Sequence, residues 1–103
     1  MEENYRLKLR RTRIIATIGP ASDSTEKLTA LINAGVNVAR LNFSHGTQAS
    51  HQVVIQRIRV IIHETGKRIA ILGDLCGPKT RVGKFPNGSI ELMLGQELTI
   101  TTN

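Results

Sequence analysis

An α/β fold with a parallel sheet is predicted for this 103-residue chain, on three observations. Apolar runs of strand length alternate with amphipathic runs of helix length in the order β-α-β-α-β. The strand runs are apolar almost throughout, with short loops between elements, which favours parallel pairing through helical crossovers. Each strand run also ends in polar or turn-forming residues, and parallel α/β folds collect their binding groups beyond those carboxyl ends.

The elements follow in order. Residues 1–11 are polar and end in Arg10-Arg11, a lead-in. Arg13 to Ile18 reads as a short buried strand, stopped by Gly19-Pro20. Asp23 is placed to cap the first helix, with Glu26 three residues on as its capping partner. Leu28, Leu31 and Ile32 recur at helical spacing, and Gly35 stands where a left-handed residue closes a helix. Val36 to Phe43 is the second strand. The second helix runs from Gln48 to Glu64, with Val54, Ile58, Ile61 and Ile62 as its apolar stripe and Gly66 at its end. Arg68 to Gly73 is a third buried strand, ending in Asp74.

The pattern changes at Gly77-Pro78. Ile90, Leu92 and Leu94, then Leu98 and Ile100, alternate with polar residues, and turn signals stand at Pro86-Asn87-Gly88 and Gly95-Gln96. That is the pattern of antiparallel hairpins. The expected organisation is a lead-in at 1–11, a parallel α/β unit at 12–78 and the start of a β subdomain at 79–103.

Composition narrows the function classes. Lys and Arg number 14 against 8 Asp and Glu, a formal charge of +6 that attracts anions without selecting one. A single cysteine, Cys76, excludes an internal disulfide framework and fits a reducing cytoplasm. No apolar run reaches the length of a membrane span, and Met1 to Arg6 lacks the pattern of a signal peptide. Arg6, Lys8, Arg10 and Arg11 form a basic cluster, but without interleaved aromatics or a recognisable module it reads as a solvated lead-in, not a nucleic-acid interface. His51 and His63 stand twelve residues apart on the second helix, too far for one zinc ion, and no cysteine joins them.

The chemistry is concentrated in Asn37-Val38-Ala39-Arg40-Leu41-Asn42-Phe43-Ser44-His45-Gly46. Strand alternation sends Arg40, Asn42 and Ser44 to one face and Leu41 and Phe43 to the other. A guanidinium, an amide and a hydroxyl on one face make an anion and cation site. The other strand ends add Thr17-Ile18-Gly19-Pro20 and Asp74-Leu75-Cys76-Gly77-Pro78-Lys79. Together these are parts that phosphoryl transfer needs: cations on the phosphate oxygens and a scaffold that aligns donor and acceptor.

Three ordered segments, Thr-Ile-Gly-Pro-Ala-Ser at 17–22, Ala-Gly-Val-Asn-Val-Ala-Arg-Leu-Asn-Phe-Ser-His-Gly at 34–46 and Gly-Asp-Leu-Cys-Gly-Pro-Lys-Thr-Arg-Val-Gly at 73–83, resemble the N-terminal part of pyruvate kinase. The resemblance implies the first three strands of a TIM barrel, followed by the start of an inserted antiparallel β-barrel domain. It implies phosphoryl transfer from phosphoenolpyruvate to ADP in the cytoplasm, by a homo-oligomer, a tetramer by family. Arg40 would contact the transferring phosphate. Asn42, Ser44 and Asp74, with the Leu75 carbonyl, would hold a monovalent cation, and His45, Pro20 and Arg81 would lie on the nucleotide side.

Potassium-dependent members of the family carry glutamate at the position of Lys79 and threonine at that of Leu75. The Leu75/Lys79 pair resembles the potassium-independent branch, in which the Lys79 ammonium stands in for K+. Cys76 replaces a glutamine common in that branch and is expected to be a buried, inert thiol. The family's catalytic lysine and the Glu/Asp pair that holds Mg2+ belong to later strands, since a full barrel takes roughly 250 residues. The 103 residues alone are therefore expected to be inactive, and independent folding is not expected. Two alternatives stand beside this reading: a non-catalytic interaction fragment that pairs with a complementary chain, and part of another phosphoenolpyruvate-handling barrel enzyme.

Overall fold

A computed structural model describes residues 10–102. Five elements form: β1 (Ile15–Thr17), α1 (Thr25–Ala34), β2 (Val38–Asn42), α2 (Gln48–Thr65) and β3 (Ala70–Asp74). The three strands make one parallel sheet in the order β1-β2-β3. Ile15, Val38 and Ala70 lie in register, as do Thr17, Arg40 and Leu72, and Asn42 pairs with Asp74.

Both helices pack on one face of this sheet. Leu28 and Ile32 of α1, Val54, Ile58 and Ile61 of α2, and Ala39 and Leu41 of β2 join Ile18 in a single buried cluster. The helical stripes behave as their 3.6-residue period requires, and Leu28, Leu41, Ile58 and Ile61 are the largest side chains fully removed from water. The opposite face of the sheet carries no helix among the described residues. Ile15 is 58% exposed and Leu72 40% exposed on that side. The expectation of three buried strands is thus corrected to half-buried strands, covered on the helix side alone.

Local signals set the helix ends with one correction. Ser24, not Asp23, caps α1: its side chain accepts from the Lys27 N–H, so the residue three positions on is Lys27 and the pairing with Glu26 does not form. Gly35 closes α1 in the left-handed conformation, with φ 112°, where any side chain would be strained. At α2, Thr47 and Ser50 exchange side-chain-to-backbone hydrogen bonds in a reciprocal cap, and Gly66 closes the helix.

Strand limits are tighter than expected. β2 ends at Asn42, and Phe43 and Ser44 lie in a turn in which the Asn42 Oδ1 accepts from the Ser44 N–H at 3.1 Å. Alternation therefore holds for Arg40 and Asn42 and stops before Ser44. Beyond β3 no strand forms among the described residues up to 102. Turns do close near the expected places, with Gly88 N–H donating to Phe85 and Gln96 N–H donating to Met93. The hairpins expected around them do not form, because an isolated two-stranded ribbon has no sheet or helix face to cover its apolar side. Leu92, Met93, Leu94, Leu98 and Ile100 are all more than half exposed.

The lead-in lies outside the described residues up to position 9. Arg10 is half-buried: its Nη2 donates to Asn37 Oδ1 at 3.4 Å, and its guanidinium lies against Gly35.

Candidate functional site

The register places Thr17, Arg40 and Asp74 at the carboxyl ends of three adjacent strands, and hydrogen bonds lock them together. Arg40 Nε donates to Asp74 Oδ2 at 3.0 Å, and its Nη2 donates to the same oxygen. On the other side, Arg40 Nη1 donates to Thr17 Oγ1 at 3.0 Å. This clamp engages three of the five guanidinium N–H donors and holds the planar group across the sheet edge. The two remaining donors have no partner among the described residues, on a side chain that is 31% exposed beside an Asp74 side chain that is 45% exposed. An exposed pair of this kind contributes about 0–1 kcal/mol to stability. Its consequence is orientation: Arg40 is fixed with free donors at a place where an oxyanion can approach.

A second surface adjoins the clamp. A cavity of about 430 Å³ opens between the ends of β1 and β2 and the start of α2, where Pro20, Asn42 and His45 share its wall with Gly19, Gly46 and His51. The floor is apolar, from Ile18, Leu41 and Val54, and the rim carries amide, imidazole and hydroxyl groups. Concave sites with apolar floors and a few placed polar groups suit flat organic ligands.

The turn between β2 and α2 is held from two directions. Phe43 N–H donates to the Asp74 carbonyl at 3.0 Å, extending the ladder by one bond. Its ring lies over Gly73, where a Cβ would collide with Phe43 Cε2. His51 meets that ring edge-on, with centroids 4.8 Å apart, and its Nε2 donates to the His45 carbonyl at 2.7 Å.

A family profile described as "Pyruvate kinase, barrel domain" matches residues 9–103. The chain belongs to the pyruvate kinase family. It is 50% identical over 93 residues to a pyruvate kinase of Sporosarcina psychrophila, covering 90% of this chain and 16% of that protein. It is 54% identical over 95 residues to pyruvate kinase 2 of a Synechocystis strain, covering 90% of this chain and 16% of the relative. Pyruvate kinase II of Salmonella typhimurium is 44% identical over 96 residues, 93% of this chain and 20% of the relative. The chain thus spans between a sixth and a fifth of the length of these pyruvate kinases, and it corresponds to their N-terminal portion.

Within this pyruvate kinase segment the structure unites some of the expected residues and separates others. Arg40 and Asp74 form the clamp, and Asn42 stands next to Asp74 in the register. Pro20 and His45 share the cavity. Ser44 sits in the turn beyond the strand, and Leu75, Lys79 and Arg81 are exposed in the segment after β3. Lys79 and Arg81 make no side-chain hydrogen bond or ion pair among the described residues, where the Arg40–Asp74 pair is the one salt bridge. Cys76 is exposed, which corrects the expected buried thiol: it follows the end of β3, beyond the helices that cover the sheet.

Thr17, expected only as part of a strand end, gains its role through its strand pairing with Arg40. Gly73 and His51 stand outside the sequence-derived site. Glycine inside a strand marks the close approach of another group, the signal that could have found Gly73. His51 gave no local signal, because its partners Phe43 and His45 are brought to it by the tertiary fold.

Proposed function

We propose that this chain supplies one wall of the phosphoryl-transfer site of a pyruvate kinase that moves a phosphoryl group from phosphoenolpyruvate to ADP. The observation that carries the reading is Arg40, held between Thr17 and Asp74 with two N–H donors left without a partner among the described residues. A guanidinium fixed before the reaction stabilises charge developing on phosphate oxygens without reorganising when it does so. In this reading the α/β unit forms the first three strands of a TIM barrel, and residues 79–103 open an inserted antiparallel β-barrel domain whose pairing partners come from elsewhere. Pro20 and His45, and Arg81 after movement of its segment, bind the nucleotide side.

The residues near Arg40 also suit a hard monovalent cation. Asn42 Oδ1, Ser44 Oγ, the Asp74 carboxylate and the Leu75 carbonyl are all oxygen donors, the ligand chemistry such ions take. A cation there supplies positive charge beside the phosphoryl group. Lys79 supplies the same charge from a covalent stem in the potassium-independent reading. Mg2+, which offsets the charge of the transferring group, would be held by residues that are not among these 103. In this reading the complete enzyme is a cytoplasmic, tetrameric glycolytic enzyme. Among the described residues, neither helix is long and apolar enough to cross a membrane.

The family match favours this function over a separate interaction fragment or another phosphoenolpyruvate-handling barrel. The test is a transplant. Residues 9–103 replace the matching segment of the full-length Sporosarcina psychrophila pyruvate kinase, and phosphoenolpyruvate-dependent ATP formation is measured. The chimaera is expected to turn over at a rate comparable to the parent, while the 103-residue chain alone gives no ATP above background. A folded chimaera without activity would refute the proposal.

A further inference from the structure

His51 of α2 reaches back to the turn that carries Ser44 and His45. Its Nε2 lies 2.7 Å from the His45 carbonyl oxygen. A carbonyl only accepts, so Nε2 carries the proton and donates. The same ring stands edge-on to Phe43, at an interplanar angle of 77°. Phe43 in turn covers Gly73, the one side-chain-free position on that face of β3, and its N–H donates to the Asp74 carbonyl. The sequence Asp74–Phe43–His51–His45 is therefore a continuous set of contacts from the Arg40 clamp to the wall of the 430 Å³ cavity.

From this geometry we infer that His51 is a positioning residue, which sets the orientation of His45 toward a nucleoside diphosphate in the cavity. The inference rests on the pyruvate kinase reading above and extends it to the nucleotide side. His51 is not required to touch the reacting atoms. Its Nε2–H fixes the His45 peptide, and its ring fixes Phe43, so the turn presents one arrangement to the nucleotide. Gly73 is part of the same device, because any side chain there displaces the Phe43 ring on which His51 leans.

The experiment uses the full-length chimaera with the variants His51→Phe, His51→Gln and Gly73→Ala. His51→Phe keeps an aromatic ring against Phe43 and removes the donor; His51→Gln retains an N–H donor. Loss of one such hydrogen bond corresponds to a factor of about five. His51→Phe is expected to raise KM for ADP about fivefold, with kcat and KM for phosphoenolpyruvate within twofold. His51→Gln is expected to recover most of that loss, and Gly73→Ala to reproduce it.

Hydrogen exchange over residues 42–47 is measured on the same full-length proteins. Faster exchange in His51→Phe, and not in His51→Gln, is expected. An equal change in all kinetic constants, or unchanged exchange and an unchanged KM for ADP, overturns the inference. If the unsubstituted chimaera has no turnover, the functional reading fails, and the exchange data still decide whether His51 holds the turn. If His51→Phe does not fold, Gly73→Ala carries the same decision.

Discussion

Arg40 gains its character from two neighbours that strand pairing brings to it. Alternation along β2 placed Arg40 and Asn42 on the open face, and the structure agrees, since both are half-buried while Leu41 between them is 1% exposed. The same alternation failed at Ser44, because Asn42 caps the Ser44 N–H and turns the chain out of the ladder. Side-chain capping by Asx residues is a local competitor of strand pairing, and here it ends the strand. The contacts of Thr17, Gly73 and His51 were not legible in the same way, since each depends on a partner between 6 and 30 residues distant in the chain. Lys79, in the potassium-independent reading, replaces the charge of the ion. A unit charge about 10 Å from a developing negative charge, at an effective dielectric of about 20, is worth roughly 1.7 kcal/mol, on the order of tenfold in rate. The chimaera is expected to change less than twofold on removal of K+. Lys79→Glu is expected to lose on the order of tenfold without K+ and to regain it when K+ is added. Strong K+ activation of the unsubstituted chimaera would exclude Lys79 as the substitute ion.

The helices were the most legible elements, and the reason is physical. A period of 3.6 residues records which face packs, and Leu28, Ile32, Val54, Ile58 and Ile61 all fall on the buried stripe. The strands were legible in order and type but not in depth. Continuous apolar runs pointed to burial on both faces, whereas α1 and α2 cover one face among the described residues and Ile15 remains exposed on the other. The exposed apolar face is consistent with a sheet that meets further strands or side chains in a larger barrel. Packing on the helix side predicts a sharp contrast along α2. Ile58 is fully buried and Val60 is 52% exposed. Ile58→Ala is expected to cost about 3 kcal/mol, within the usual range for removing buried branched side chains, and Val60→Ala about 0.5 kcal/mol or less. Denaturant unfolding of the full-length chimaera checks this, and equal losses would contradict the assigned core.

Across the whole molecule, the α/β unit and the segment after β3 differ in kind. The radius of gyration is 19.3 Å, against about 13 Å for a compact domain of this length, and no described residue after β3 joins the buried cluster. Its alternating pattern remains visible in the sequence, but alternation specifies a face and not the partner that covers it. Leu94 and Ile100, exposed at 108% and 80%, are the clearest instances. The chain spans 16–20% of the length of its relatives, and in the proposed reading the covering surfaces come from the remainder of such an enzyme. In the proposed function this short stretch brings a pre-set phosphate-facing arginine to the shared site. Turnover of the full-length chimaera with Arg40→Ala decides whether it does. Removal of a fixed donor to a developing oxyanion costs about 100-fold or more in kcat. A loss of that size with folding retained is expected, and a folded Arg40→Ala enzyme within twofold of the unsubstituted chimaera would refute the role of Arg40.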